Sequence, residues 1–463
     1  MKARGRPAWI LCAIALGWAI PHNASLGQQT DDPSYWPEPP DQSPTIITRD
    51  MMFPDEQPSC SGPAECAGGC DSGCDGGDAR DSSRQYFHEP CRGEHFWVRG
   101  DYHLWWTSGP HLPPLVTASP PDTPRSEAGV LGLPNTSILF GGRDVHEDDR
   151  SGARITLGFW HDCRRIWGLE GDFWDMADES TAFAATGDGE PILTRPFYNV
   201  QAAQQDAELV SFPNVLAGTV SVHTRDYFQS AGIWLLRNLS CCEGGCGDSC
   251  GGDSCGGCGT AAFSHRVDLL AGYRYYRFND RLAVREQLVA IDPIFEGTTF
   301  DIHDRFRADN EFHGGEIGLR SRCFFGCWSL EILGKLALGN NHQVVVINGS
   351  TTTAIPDLIP ITEPGGLLTG QSNIDRYEVD QFTLVPQFGI ELGCQLTCSL
   401  RGYIGYNLLY WAHVQRAADQ IDFEVDQRNV PPLQSGGTPH PEPQLCNNDF
   451  WAQGLNFGLE CRF

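Results

Sequence analysis

The sequence predicts an all-β chain: an antiparallel up-and-down transmembrane β-barrel of about twelve strands. Three observations carry that expectation. Segment after segment alternates apolar and polar side chains with a period of two, many of these segments reach ten residues or more, and the connections between them alternate long and short. Globular strands average about 5–6 residues, whereas a tilted strand needs ~9–11 to cross a bilayer.

The first element sets the pattern. In "EHFWVRGDYHLWWTSG" (Glu94–Gly109), Phe96, Val98, Gly100, Tyr102, Leu104 and Trp106 share one face. Trp97, Arg99, Asp101, His103 and Trp105 share the other, as alternation across a strand requires. Ten further strands are expected near 152–161, 165–176, 224–237, 264–278, 281–291, 295–304, 310–322, 327–346, 380–394 and 398–414. The last, "DFWAQGLNFGLECRF", puts Trp451, Leu455, Phe457, Leu459, Cys461 and Phe463 against Asn456, Glu460 and Arg462. A terminal aromatic on a final amphipathic strand fits the closing strand of a bacterial outer-membrane barrel.

Alternation by itself fits two architectures. A soluble sandwich points its apolar face inward, and a membrane barrel points it at lipid with polar groups lining the lumen. Strand length and loop asymmetry favour the barrel. Long connections are expected at 108–151, 177–223, 347–379 and 415–448, and tight ones at 162–164, 292–294, 323–326 and 395–397. A short hairpin at Asn279–Asp280 departs from that alternation. With the apolar face in lipid, the lumen would be lined by Arg99, Asp101, Arg154, Glu170, Asp172, Arg266, Asp268, Arg274, Glu316, Arg320, Glu331, Lys335, Glu391 and Arg401. His103 joins them. Acids and bases are mixed, so strong ion selectivity is not expected. The first long connection could fold inward and constrict the pore.

Upstream of the barrel, residues 94–463, two other regions are expected. Residues 1–27 read as a signal peptide: Lys2, Arg4 and Arg6 are basic, Ala8–Ile20 is apolar, and Ser25 and Gly27 are the small residues before cleavage. Residues 28–93 read as a periplasmic linker dense in Pro, Gly and Cys. Losing the signal takes the formal charge from −27 to −30. So acidic a chain is repelled by phosphate and is not expected to bind nucleic acid.

Nineteen cysteines suit an oxidising compartment. Cys323 with Cys327, and Cys394 with Cys398, flank tight turns and are candidate disulfides. The insertion "CCEGGCGDSCGGDSCGGC" (Cys241–Cys258) leaves soft-metal binding or links to other envelope chains as competing readings. Its only common zinc spacing is Cys255-x-x-Cys258, and no His accompanies it, so no metal site is assigned. "GDSCGG" (Gly247–Gly252) has the look of a protease serine motif inside a low-complexity repeat. No nucleophile elbow, zinc-protease motif or phosphate loop is present, so neither enzyme activity nor a cofactor is expected.

The run Arg99–Gly142 contains "LPPLVT" (Leu112–Thr117), "GVLG" (Gly129–Gly132) and "TSILFGG" (Thr136–Gly142) after an aromatic first strand. It resembles the beta-barrel porin family 7 of planctomycete outer-membrane proteins, over roughly residues 94–463. "NEFHGGEIGL" (Asn310–Leu319) is similar too. The resemblance implies an outer-membrane barrel in a Gram-negative-type envelope, in contact with lipid and passing small solutes. The alternative is a plugged structural or surface-adhesion barrel without conductance.

Overall fold

A computed structural model describes residues 95–162, 165–242, 263–397 and 399–463. The signal and linker assignments lie outside the described residues, as do Cys163, Cys398 and most of the cysteine insertion. Ten long strands form the frame. They are β1 (Phe96–Thr107), β2 (Arg150–Trp160), β3 (Trp167–Gly187), β4 (Leu216–Cys242), β5 (Phe263–Ala290), β6 (Thr299–Phe325), β7 (Trp328–Ala354), β8 (Asp375–Gln395), β9 (Leu400–Gln415) and β10 (Asn447–Arg462). Neighbours in sequence pair antiparallel, and β10 pairs with β1 to close the ring. Closure leaves every spanning strand paired on both sides, which is what lets a sheet sit in hydrocarbon.

Ten strands close the ring rather than about twelve because two pairs of expected strands are continuous. The segments 264–278 and 281–291 are one strand, β5, and 295–304 with 310–322 are one strand, β6. No hairpin forms at Asn279–Asp280: Asn279 lies opposite Tyr227 and Asp309, and Asp280 opposite Asp226 and Ala308. With that hairpin gone, the short links between β2 and β3, β6 and β7, and β8 and β9 fall on one rim, and the fully described connections from β1 to β2, β3 to β4, β5 to β6, β7 to β8 and β9 to β10 fall on the other, the expected tight turn at 292–294 among them.

Strands β4 to β7 are 27 or 28 residues long. At ~3.3 Å per residue each runs about 90 Å, far beyond the ~25 Å apolar band of an outer-membrane barrel. The outward side chains mark where lipid stops. On β7, Ile332, Leu336 and Leu338 are exposed and apolar, and Asn340 follows. On β5 the band ends at Tyr273, after which Tyr275, Arg277, Asn279 and Arg281 point outward. The upper parts of these strands therefore stand above the membrane as a head.

A second sheet packs inside that head. Val116–Ser119 pairs with Ser137–Phe140 and with Ile192–Asn199, which also pairs with Gln204–Ser211 and Glu424–Val425. The family-like loop motifs build it. Gly129 sits at φ +68, and a Cβ there would meet the Thr194 hydroxyl at 1.6 Å. Its N–H donates to Ser119 Oγ (2.9 Å) while its carbonyl accepts from the Thr117 hydroxyl (2.8 Å). Gly141, at φ +91, lets the chain turn against the Pro113 carbonyl, where a Cβ would lie 2.0 Å away. The first connection thus folds inward.

Candidate functional site

The lumen is the candidate site, and it holds three stacked layers. The lowest, nearest the short-turn rim, is ionic. Arg99 donates to Glu391 (2.6 Å) and lies 3.4 Å from Glu331 and 3.9 Å from Glu460. Arg154 binds Asp101 (3.1 Å), and Tyr403 donates its hydroxyl to the same carboxylate (2.6 Å). Arg320 forks onto Glu170, Arg322 binds Glu331, and Arg401 binds Glu460 (3.2 Å). Arg274 bridges Asp172 (2.9 Å) and Glu316 (3.3 Å), with Lys335 3.6 Å from Glu316. Trp234 donates to Glu316 (2.6 Å) and Lys335 sits 3.5 Å above its ring.

All fourteen lumen candidates point inward, in three ion-paired groups: eight around Arg99 and Glu331, then Asp172, Arg274, Glu316 and Lys335, and the pair Arg266–Asp268. Twelve are buried; Asp172 and Arg266 are half-buried. A buried charge is tolerated only when it is paired and hydrogen-bonded, and these are.

The middle layer is aromatic. Trp105, Trp174, Phe228, Tyr276, Phe278, Phe312, Trp411 and Phe450 form one buried cluster. Trp105 and Trp174 meet edge-to-face at 4.9 Å, and Phe278 packs on Phe450 at 4.7 Å. His103 caps this layer from below, 2.5 Å from Asn456 Oδ1.

The top layer is the aliphatic core of the head. Val220, Val222, Leu282, Val284, Phe306 and Val345 from the long strands pack on Val116, Leu193, Phe197 and Val425 of the inner sheet. Two polar anchors cross it. Arg195 donates to Glu286 (2.6 Å) and Asp304 (2.7 Å), and Asp304 also accepts from the Leu368 and Thr369 amides. Burial raises the Glu208 and Glu286 carboxyls above their ordinary range, and crowding with other carboxylates adds to it despite Arg195. At the second anchor, His146 lies between the Thr224 hydroxyl (2.8 Å) and Asp226 (3.0 Å), with Arg150 on the same carboxylate (2.5 Å). Burial works against the Asp226 charge, but His146 and Arg150 outweigh it and hold the group below its usual range.

Thr224, His146 and Asp226 have the order of a nucleophile–base–acid relay. Both the hydroxyl and the imidazole are sealed from solvent, so no substrate reaches them. His146 also has φ 60, a strained conformation for a side chain that this packing enforces. The trio fastens the first connection to β4. Sequence reasoning missed both anchors, because Arg195 and His146 lie in connections with no periodic pattern.

The disulfide candidates need correction. Cys323, Cys327 and Cys394 carry free thiols. The turn closes with Phe325 opposite Trp328, so Cys323 faces Leu330 while Cys327 sits in the turn itself. Cys394 lies opposite Trp328 on one side and Gly402 on the other. Cys461, expected on the lipid-facing side of the last strand, is disulfide-bonded and buried.

A closed ring with lipid outside and a polar interior defines the class: an outer-membrane β-barrel protein. The chain belongs to the family described as Putative beta barrel porin-7 (BBP7), which matches residues 97–463. No curated protein sequence matches it. Among solved structures, it is similar to the outer membrane protease OmpT from Escherichia coli, with 9% identity and a TM-score of 0.29, covering 80% of this chain and 97% of that one. It is also similar to the toluene transporter TodX of P. putida, with 8% identity and a TM-score of 0.21, covering 80% and 90%. A FadL homologue from Pseudomonas aeruginosa gives 9%, 0.20, 80% and 90%. These likenesses are too distant to bear on function.

Proposed function

We propose that this protein is a sealed barrel: a membrane anchor, exported through its N-terminal signal, that holds a rigid head above the outer membrane and passes no solutes by diffusion. One observation carries the reading. In three successive layers the lumen side chains are sealed from solvent, with Glu331 1% exposed in the ionic layer, Trp411 0% in the aromatic layer and Phe306 0% in the head. An eight-stranded barrel is just wide enough for side chains to fill its interior. Here ten strands gain width, and arginine and tryptophan side chains take up the extra space. No catalytic step is assigned, because the relay-like trio Thr224, His146 and Asp226 is sealed.

The test is liposome swelling. Purified protein is reconstituted into vesicles and transferred into small sugars such as arabinose. The expected result is no swelling above protein-free vesicles. Swelling that scales with protein would overturn the reading.

A further inference from the structure

A recess of about 80 Å³ opens at the short-turn rim, below the ionic layer. Five arginines and two carboxylates line it, Arg165, Arg266, Arg320, Arg322 and Arg462 against Asp268 and Glu460. That excess stands out in a chain of net charge −27. Higher in the lumen, each cation meets an acid. Here too Arg266 pairs with Asp268, Arg320 with Glu170, Arg322 with Glu331 and Arg462 with Glu460, but the lining guanidinium groups outnumber the lining carboxylates.

The donors are fixed before any ligand arrives. Arg266 donates to both oxygens of Asp268 (2.9 Å each), gives Nη2 to the Arg165 carbonyl (3.1 Å), and lies 4.1 Å over the Trp160 ring. Arg462 gives its Nε to Glu460 (2.5 Å), while its Nη2 is buried with no hydrogen-bond partner among the described residues. An orphaned donor of this kind carries the full cost of its desolvation. A guanidinium fork matches the spacing of oxyanion oxygens and loses little freedom in binding them. Trp97 and Trp160, 5.3 Å apart, form the adjoining wall. We infer that this rim recess binds a small oxyanion, a phosphate or a carboxylate, with Arg462 and Arg266 as the principal donors.

Isothermal titration calorimetry on the full-length protein in detergent, at constant ionic strength set by chloride, tests the site. One arm uses inorganic phosphate and the other acetate. Folding of each variant is checked by heat-modifiable gel migration. Saturable heat with either probe is expected, and the tighter probe identifies the source. Arg462→Gln should weaken that binding about tenfold or more. Arg462→Lys, which keeps the charge and loses the fork, should fall between. Arg376→Gln, on an exposed head arginine paired with Glu378, should change nothing. Absence of saturable heat with both probes overturns the inference. So does unchanged binding in both Arg462 variants, or an equal loss in Arg376→Gln.

Discussion

The two halves of a single strand obey opposite rules. Low on β5 the outward side chains are Val267, Leu269, Ala271 and Tyr273, and the inward ones include Asp268 and Arg274. High on the same strand the outward ones are Arg277, Arg281 and Arg285, and the inward ones are Phe278, Leu282, Val284 and Leu288. The alternation keeps its phase and reverses its polarity. The solvent decides: below Tyr273 the strand faces hydrocarbon outside, and above it the strand faces water. The lower half is held by ion pairs that lipid cannot replace, and the upper half by an ordinary apolar core.

That contrast can be broken in graded ways. The largest effects come from emptying either core. Glu331→Ala removes the carboxylate that pairs with Arg322 and also lies beside Arg99 and Arg320, and should cost ~3–5 kcal/mol, seen as loss of heat-modifiable migration. Phe306→Ala should cost about as much, yet act elsewhere: the head becomes protease-sensitive while the embedded half stays protected. Next come outward substitutions, which should respond oppositely in the two halves. Leu336→Arg places a charge in the apolar band and should cost ~2–4 kcal/mol. Arg376→Leu, on an exposed head arginine, should stay within ~0.5 kcal/mol. Urea midpoints in lipid vesicles compare the two.

A smaller effect is confined to the head and depends on pH. Asp280 accepts from the Ala417 amide (3.1 Å). Burial lifts its carboxyl to about 6, with Asp226 adding to the rise and Arg416 opposing it. A carboxyl raised in the folded state contributes stability that is present below its unfolded value and lost as pH rises through 6. Asp280→Asn should therefore leave the head more stable by about 3 kcal/mol at pH 7, with the gain shrinking as pH falls below 6 and gone below the ordinary aspartate range. Hydrogen exchange of the head strands across that range reads the difference.

The membrane half was legible in the sequence because its rule is strict. Once strand length and loop asymmetry favour a barrel, charges at every second position of β1 belong in the lumen, and Arg99, Asp101 and His103 are buried there. The head was not legible. Where polarity reverses, near Phe278–Arg281, the turn-like pair Asn279–Asp280 reads as a hairpin between two short strands. Only pairing to β4 and β6 shows that the strand runs straight through. The thiol pairings failed for a related reason. A shift in the closing pair of a turn moves Cys323 from facing Cys327 to facing Leu330, and sequence spacing does not set that register. Nor does it reveal whether charges on a lumen face line water or neutralise one another; that depends on lengths and positions across four or five strands.

Planar-bilayer recording of the purified, heat-modifiable protein addresses the filled lumen most directly. With ionic, aromatic and aliphatic layers stacked across the bore, insertion should leave the membrane electrically silent at all voltages that an unmodified bilayer withstands. Stepwise, reproducible conductance from wild-type protein would mean that a continuous water path crosses those layers, and the sealed barrel would be contradicted.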